Sequence, residues 1–324
     1  MSPAIDASYV LPIKWSEDGD RAELTAYLRR VAGWIDEVIV VDGSEPAAFS
    51  ANSAAWGSFV KHIAPDADLA FKNGKVDGVT TGLRTATHER VVIADDDVRY
   101  DEPGLRRVVE LLNDAELVRP QNFFTQPMPW HAAWDTARSL INRATGADYP
   151  GTLGLRRSLF MKMGGYDGDV MFENLELIRT VEAAGGREVA PLDLYVARIP
   201  PSASRFLSQR VRQAYDEFAL PGRMALWLSV VPFTAWALRT GRAGAGAGVA
   251  AAIVTSAEVG RRRAGGRQVF PARASLMAPL WVLERGVCVW AALGSRARGG
   301  VRYGGTRIAR AARSRPRENL GRPI

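Results

Sequence analysis

One cysteine, Cys288, stands in 324 residues, so no intramolecular disulfide can form. Histidine is nearly as scarce. His62, His88 and His131 are the only three, too few for a Cys/His metal cluster. Lysine is absent after Lys162, and residues 225–324 hold just three carboxylates, Glu258, Glu284 and Glu318. No uncharged apolar run reaches the ~20 residues that spanning a bilayer requires. Asp6 interrupts the start of the chain, and no apolar stretch of secretory-signal length follows it, so the first domain is expected to stay in the cytoplasm. What is present is ordinary in amount: 47% hydrophobic and 24% charged residues, which excludes a disordered chain and is enough for two domains.

The scarcities are unevenly placed, and that is informative. Residues 1–224 carry 25 Lys+Arg against 32 Asp+Glu, a net −7, whereas residues 225–324 carry 17 Arg and a net +14. A nucleic-acid arm would interleave its arginines with polar and stacking residues. Here whole apolar blocks, residues 224–238, 243–257 and 274–294, are bracketed by Arg239, Arg242, Arg261, Arg262, Arg263 and Arg267, and the last block is broken only by Glu284 and Arg285. That pattern predicts a helical region, 223–324, held on an anionic membrane by snorkelling arginines, with no nucleic-acid partner. A buried helical subdomain is the alternative, because short apolar blocks also suit core helices.

Residues 1–222 alternate strand-like and helical stretches. Apolar runs at 9–13, 37–41, 68–71, 90–94 and 116–119 are separated by helical candidates that include 21–34, 76–87 and 103–112. This rhythm predicts an α/β fold with a mostly parallel sheet covered by helices. Ligand sites in such sheets lie at the carboxyl ends of strands. Asp42 follows the second strand; Asp95, Asp96 and Asp97 follow the strand at 90–94. Consecutive carboxylates repel one another, and Mg²⁺ or Mn²⁺ would compensate them while bridging to phosphate. An acidic turn capping the next helix is the competing reading.

In order, VLPIKW, VIVVDGS, NGKVDG, VVIADDDVRY, GTLGLRRSLFMKMGGYD, FENLELIRTVEAAGG and SQRVRQ resemble family 2 glycosyltransferases of the GT-A fold, in particular the ceramide-glucosyltransferase-like membrane branch. The resemblance covers residues 8–220. It implies that Pro12 and Asp42 line a nucleotide pocket that Lys75 approaches, and that Asp95 and Asp97 are the outer members of a DxD motif. Asp95 would face the nucleoside and sugar, with both carboxylates near the metal. Residues 154–157, Gly154 and Arg156 among them, would shape the sugar and acceptor pocket. Gln209 and Arg212 match a (Q/R)xxRW element at the diphosphate. Two positions depart from the family: Asn174 replaces the usual catalytic Asp, which moves the base to Glu173 or Glu176, and Gln213 replaces the Trp. Trp130 and Trp134 are candidates for stacking on a sugar, with core packing as the alternative. The implied activity is metal-dependent transfer of a hexose from a UDP- or GDP-sugar to a hydroxyl of a membrane lipid. A polyprenyl-phosphate glycosyltransferase, or a non-catalytic nucleotide-sugar-binding membrane scaffold, are the alternatives.

Overall fold

The structure is a computed structural model that describes residues 3–15 and 20–313; the last arginines of the basic tail, Arg315, Arg317 and Arg322, lie outside it. The principal sheet has seven strands in the order β3-β2-β1-β4-β8-β6-β9: β1 Ile5–Ile13, β2 Ile35–Asp42, β3 Lys61–Ile63, β4 Arg90–Ala94, β6 Leu117–Val118, β8 Thr152–Arg156 and β9 Glu188–Val189. β3, β2, β1 and β4 are mutually parallel, while β8 runs antiparallel to β4 and β6. A second sheet joins β5 (Val98–Arg99), β10 (Tyr195–Arg198) and β7 (Gln121–Phe124). The expected strand at 68–71 does not form. Lys61–Ile63 pairs with β2 instead, and residues 66–71 make a loop in which Asp66 and Asp68 hold Arg84.

Around the sheet lie α1 (Arg21–Ala32), α2 (Pro46–Trp56), α3 (Gly74–Thr85), α4 (Glu102–Leu111), α5 (Trp130–Thr145), α6 (Arg157–Lys162) and α7 (Glu173–Ala183). Local chemistry sets several starts: the side chains of Asp20, Asn73 and Asp101 each accept a backbone N–H from the first turn of α1, α3 and α4, the capping these residue types favour. Val and Ile of the central strands are almost wholly buried between helices, as parallel strands covered on both faces require.

The chain continues through α8 (Ala203–Ser208), α9 (Arg210–Tyr215), α10 (Pro221–Arg239), α11 (Ala243–Arg262), α12 (Ala272–Leu276) and α13 (Ala278–Ala297), then a hairpin of β11 (Val301–Tyr303) and β12 (Thr306–Ile308). Among the described residues one stretch, Ala243–Gln268, is long and apolar enough to cross a membrane, and only 11% of its most apolar part is buried. Residues on both sides of position 222 share one core: Leu140, Met171, Leu175 and Tyr215 pack with Trp227, Ala257, Phe270, Trp281, Val289 and Ile308. Arg143, fully buried, ties the parts together by donating to Gln121, Tyr195 and the carbonyl of Arg263. Past the hairpin the chain returns to the first half, where the N–H groups of Met171 and Phe172 donate to the carbonyls of Arg310 and Ala311.

Candidate active site

The site forms where β1, β2 and β4 end. Asp95 directly follows β4, and its N–H donates to Gly151 at 2.8 Å. A Cβ on Gly151 would lie 2.5 Å from Asp95 Oδ2, so only glycine leaves room for the carboxylate. The buried cap Asn73 starts α3 and also donates to the carbonyl of Val170, which fixes the lead-in to α7 against the first turn of α3. Lys75, in that turn, therefore reaches both neighbours. Its Nζ lies 2.6 Å from Asp95 Oδ1 and 2.8 Å from Glu173 Oε1. Burial works against the ammonium, but the two carboxylates outweigh it and hold its pKa well above the ordinary lysine range. Burial pushes the Asp95 carboxyl up to about 6; Lys75 opposes this and Asp97 adds to it.

Asp97 forms a two-point pair with Arg198 of β10, 2.5 Å at the shortest. Asp96 instead accepts from the indole N–H of Trp15 at 2.8 Å. The outer aspartates thus act on the site while the middle one anchors the end of β1. Asp95 and Asp97 offer hard oxygen donors with mutual repulsion and partial exposure. Such carboxylates could hold a Mg²⁺ or Mn²⁺ ion; in this structure Lys75 and Arg198 supply the compensating positive charge.

Two clefts open beside this cluster. The larger, about 510 Å³, is lined by Arg205, Gln209, Arg212, Arg302 and Tyr303, with no carboxylate in its wall. The Arg212 guanidinium packs over the Tyr303 ring, 5.1 Å from its centre. Burial and the negative charge of Glu173 raise the Tyr303 hydroxyl, so this basic cleft lies within electrostatic reach of the Lys75 cluster. The smaller, about 170 Å³, is lined by Asp95, Gly151, Asn174, Arg198, Asp216 and Arg285, among others.

The structure brings Lys75, Asp95, Asp97 and Glu173 together, and Gln209 and Arg212 line the larger cleft. Pro12 lies near the end of β1 and packs against Gly78 of α3. Other expectations are corrected. Asp42 is buried and saturated: it accepts from the Ser44 N–H and Asn52 and pairs with His62, so it shapes the loop after β2 and does not face a ligand. Gly154 and Arg156 line neither cleft. β8 is antiparallel to β4, so Thr152 sits beside Ala94, whereas Arg156 pairs with Arg90 at the far end. Gly154 packs under α4, where a Cβ would meet Val108 at 2.6 Å, and Arg156 donates to the carbonyls of Leu112 and Asn113. It is Gly151, just before that strand, that reaches the site. Glu176 is buried and accepts the Arg313 N–H at 2.7 Å, a clamp on the returning chain. Trp130 lines neither cleft and packs edge-on with Trp134 and Phe206. Trp134 donates to Glu284. Asn174 donates to the Pro150 carbonyl, which supports the turn that carries Gly151.

Sequence reasoning passed over Arg198, Asp216, Arg285 and Arg302. Nothing local marks Arg198, since the second sheet brings it to Asp97 from 101 residues away. Arg285 did leave a signal, a charge inside an apolar helix.

No protein-family model and no curated protein matches the chain. Among solved structures it is similar to the mannosyltransferase PcManGT from Pyrobaculum calidifontis in complex with GDP-Man and Mn²⁺, at 19% identity over 89% of this chain and 88% of that one, with a TM-score of 0.50. It is also similar to glucosyl-3-phosphoglycerate synthase from Mycobacterium tuberculosis, at 18% identity over 61% of this chain and 74% of that one, with a TM-score of 0.42. The likeness to the mannosyltransferase is one of fold: a mixed α/β, mostly parallel-sheet GT-A arrangement.

Proposed function

We propose that the protein is a metal-dependent glycosyltransferase that moves a hexose from a UDP- or GDP-sugar to a hydroxyl of a membrane, lipid acceptor. The observation that carries this reading is the Asp95–Lys75–Glu173 chain of ion pairs at the carboxyl end of the sheet. It joins a DxD-type carboxylate to a carboxylate at a helix start, within one fold whose similar mannosyltransferase structure contains GDP-Man and Mn²⁺. The membrane part rests on α10 to α13, which leave Leu226, Trp236, Leu238, Leu280, Val287 and Trp290 exposed. It also supports placing the chain with the ceramide-glucosyltransferase-like branch.

Asp95 and Asp97 would hold the Mg²⁺ or Mn²⁺ ion, which supplies charge stabilisation to the departing diphosphate. Arg212, Arg205 and Arg302 form a basic wall for the same leaving group. Glu173, held in place by Lys75, accepts the proton of the acceptor hydroxyl. The acceptor oxygen forms its bond to C1 as the C1–O bond to the diphosphate breaks, and the electron pair leaves with the nucleoside diphosphate.

The test uses full-length protein in detergent, a panel of labelled UDP- and GDP-hexoses and Mn²⁺. One donor is expected to release hexose in a reaction that EDTA stops. Asp97→Asn should abolish that release and leave the melting curve cooperative, because the residue is partly exposed and removes no core contact. If no donor is consumed, the protein is a binding scaffold. If Asp97→Asn works at the wild-type rate, the metal assignment fails.

A further inference from the structure

The smaller cleft contains a charge the reaction above does not use. Arg285 sits in the middle of α13 with 1% of its surface exposed. Its Nε and Nη1 have no hydrogen-bond partner, and the nearest carboxylate oxygen, on Glu217, is 3.9 Å from Nη1. The guanidinium packs 5.1 Å from the centre of the Trp281 ring. Its neighbour Glu284, by contrast, is engaged by Trp134 and Arg210. Burying a guanidinium without partners is strongly unfavourable, and such groups persist where they meet a counter-ion.

The rest of the wall has the same character. Arg138 pairs with Asp148 through Nη1, and its buried Nε, 3.8 Å from Asp135 Oδ1, makes no hydrogen bond. Arg223 and Arg198 line the cleft while paired to Glu217 and Asp97. Of the lining carboxylates, Asp95 is paired with Lys75 and Glu217 with Arg223, while Asp216 Oδ1 and Glu217 Oε2 are buried without a hydrogen-bond partner. The unpartnered donors are guanidinium nitrogens, whose planar forks suit oxyanions. Asp95 and Asn174 line the same cleft, so an anion held there lies beside the donor site.

We infer that this cleft is an acceptor subsite that binds a phosphate group through Arg285 and Arg138. The inference rests on the glycosyltransferase reading for its biological sense. The phosphate can belong to a lipid or to a water-soluble ester, and it anchors the acceptor whether the attacking oxygen is its own or that of a neighbouring hydroxyl.

The experiment titrates full-length protein in detergent with inorganic phosphate, in the presence of saturating UDP or GDP and Mn²⁺ so that the diphosphate site is filled. Phosphate is expected to raise the melting temperature. In Arg285→Met the apparent affinity should fall by about tenfold or more, the loss of one charge-assisted contact. Without phosphate, Arg285→Met should melt higher than wild type, because a buried charge held only by a 3.9 Å ion pair to Glu217 is replaced by an apolar chain of similar length. A purely structural arginine would give the opposite shift. Arg138→Gln, at a less buried position, provides a second variant should Arg285→Met not fold, and it should also weaken phosphate. Phosphate binding that is absent, or unaltered in both variants, overturns the subsite. A chain that binds phosphate but consumes no nucleotide sugar keeps the subsite and loses the proposed function. Transfer to an isoprenoid phosphate in vesicles, compared with transfer to a soluble sugar phosphate, then identifies the source of the group.

Discussion

Glu173 and Glu176 lie three residues apart on one helix, yet their surroundings give them different work. Glu173 opens α7 and meets Lys75 at the site, whereas Glu176 is 3% exposed and receives the Arg313 N–H. Glu173→Gln is expected to lower turnover by ~10²–10⁴-fold, the usual value of general-base catalysis, with little change in nucleotide affinity measured by titration. Glu176→Gln should lower the melting temperature and leave turnover within a few-fold of wild type. If Glu173→Gln also stays within a few-fold, the attacking oxygen is already anionic. Asp216 gives a pH prediction. Burial, then the charge of Glu173, raises its carboxyl well above the ordinary range, with Arg285 opposing. A carboxyl whose folded pKa is raised ionises first in the unfolded chain. Stability therefore falls as pH rises from about 4 and stops falling once the folded pKa is passed. Asp216→Asn should remove that loss. Its melting temperature should exceed wild type at neutral pH and match it near pH 4; equal midpoints at neutral pH would refute the assignment.

α5 and α11 show how an element is placed by what it lacks. A Cβ on Gly260 of α11 would lie 1.9 Å from the carbonyl oxygen of Leu140 in α5, so the two helices touch through backbone. The obstacle is main chain and cannot rotate aside. Gly260→Val should separate the helices and cost on the order of 1–3 kcal/mol, as overpacking does, read as a lower denaturation midpoint. The small AGAGAG run at the start of α11 meets nothing: Cβ atoms on Gly244, Gly246 and Gly248 would have no neighbour within 4 Å. Alanine there should be neutral or stabilising through the higher helix propensity of Ala.

Across the whole molecule, the α/β part and the C-terminal helices are interlocked. The core they share and the return of residues 309–313 onto α7 mean that the tail buttresses the helix that presents Glu173. Its outward surface carries Trp236, Leu238, Val287 and Trp290 with flanking arginines. If that surface lies on a membrane, full-length protein should float with anionic vesicles and less so with neutral ones, since each arginine near the surface adds about 1 kcal/mol. Leu238→Glu with Trp290→Glu should reduce flotation and leave hydrolysis of the nucleotide sugar intact. Flotation that ignores both lipid charge and these substitutions would count against membrane docking.

How much of this was legible beforehand follows from the range of the forces involved. The alternation of apolar strands and helices, the carboxylates after β4, the lysine of NGKVDG and the helix start at Glu173 are written locally, because periodicity, capping and turn chemistry act over a few residues. They were enough to indicate the α/β sheet and to mark the aspartates that follow β4. The tertiary structure alone decided that β8 enters antiparallel, which sends Arg156 to the wrong end of the sheet and brings Gly151 to Asp95. It also decided that Asp42 is saturated, that Glu176 is a clamp, and that Arg198 and Arg285 meet the site from distant elements. Strand direction and the burial of a charge depend on partners a hundred or more residues away, as in the Arg198–Asp97 pair, 101 residues apart, and no local pattern along the chain encodes which partner arrives.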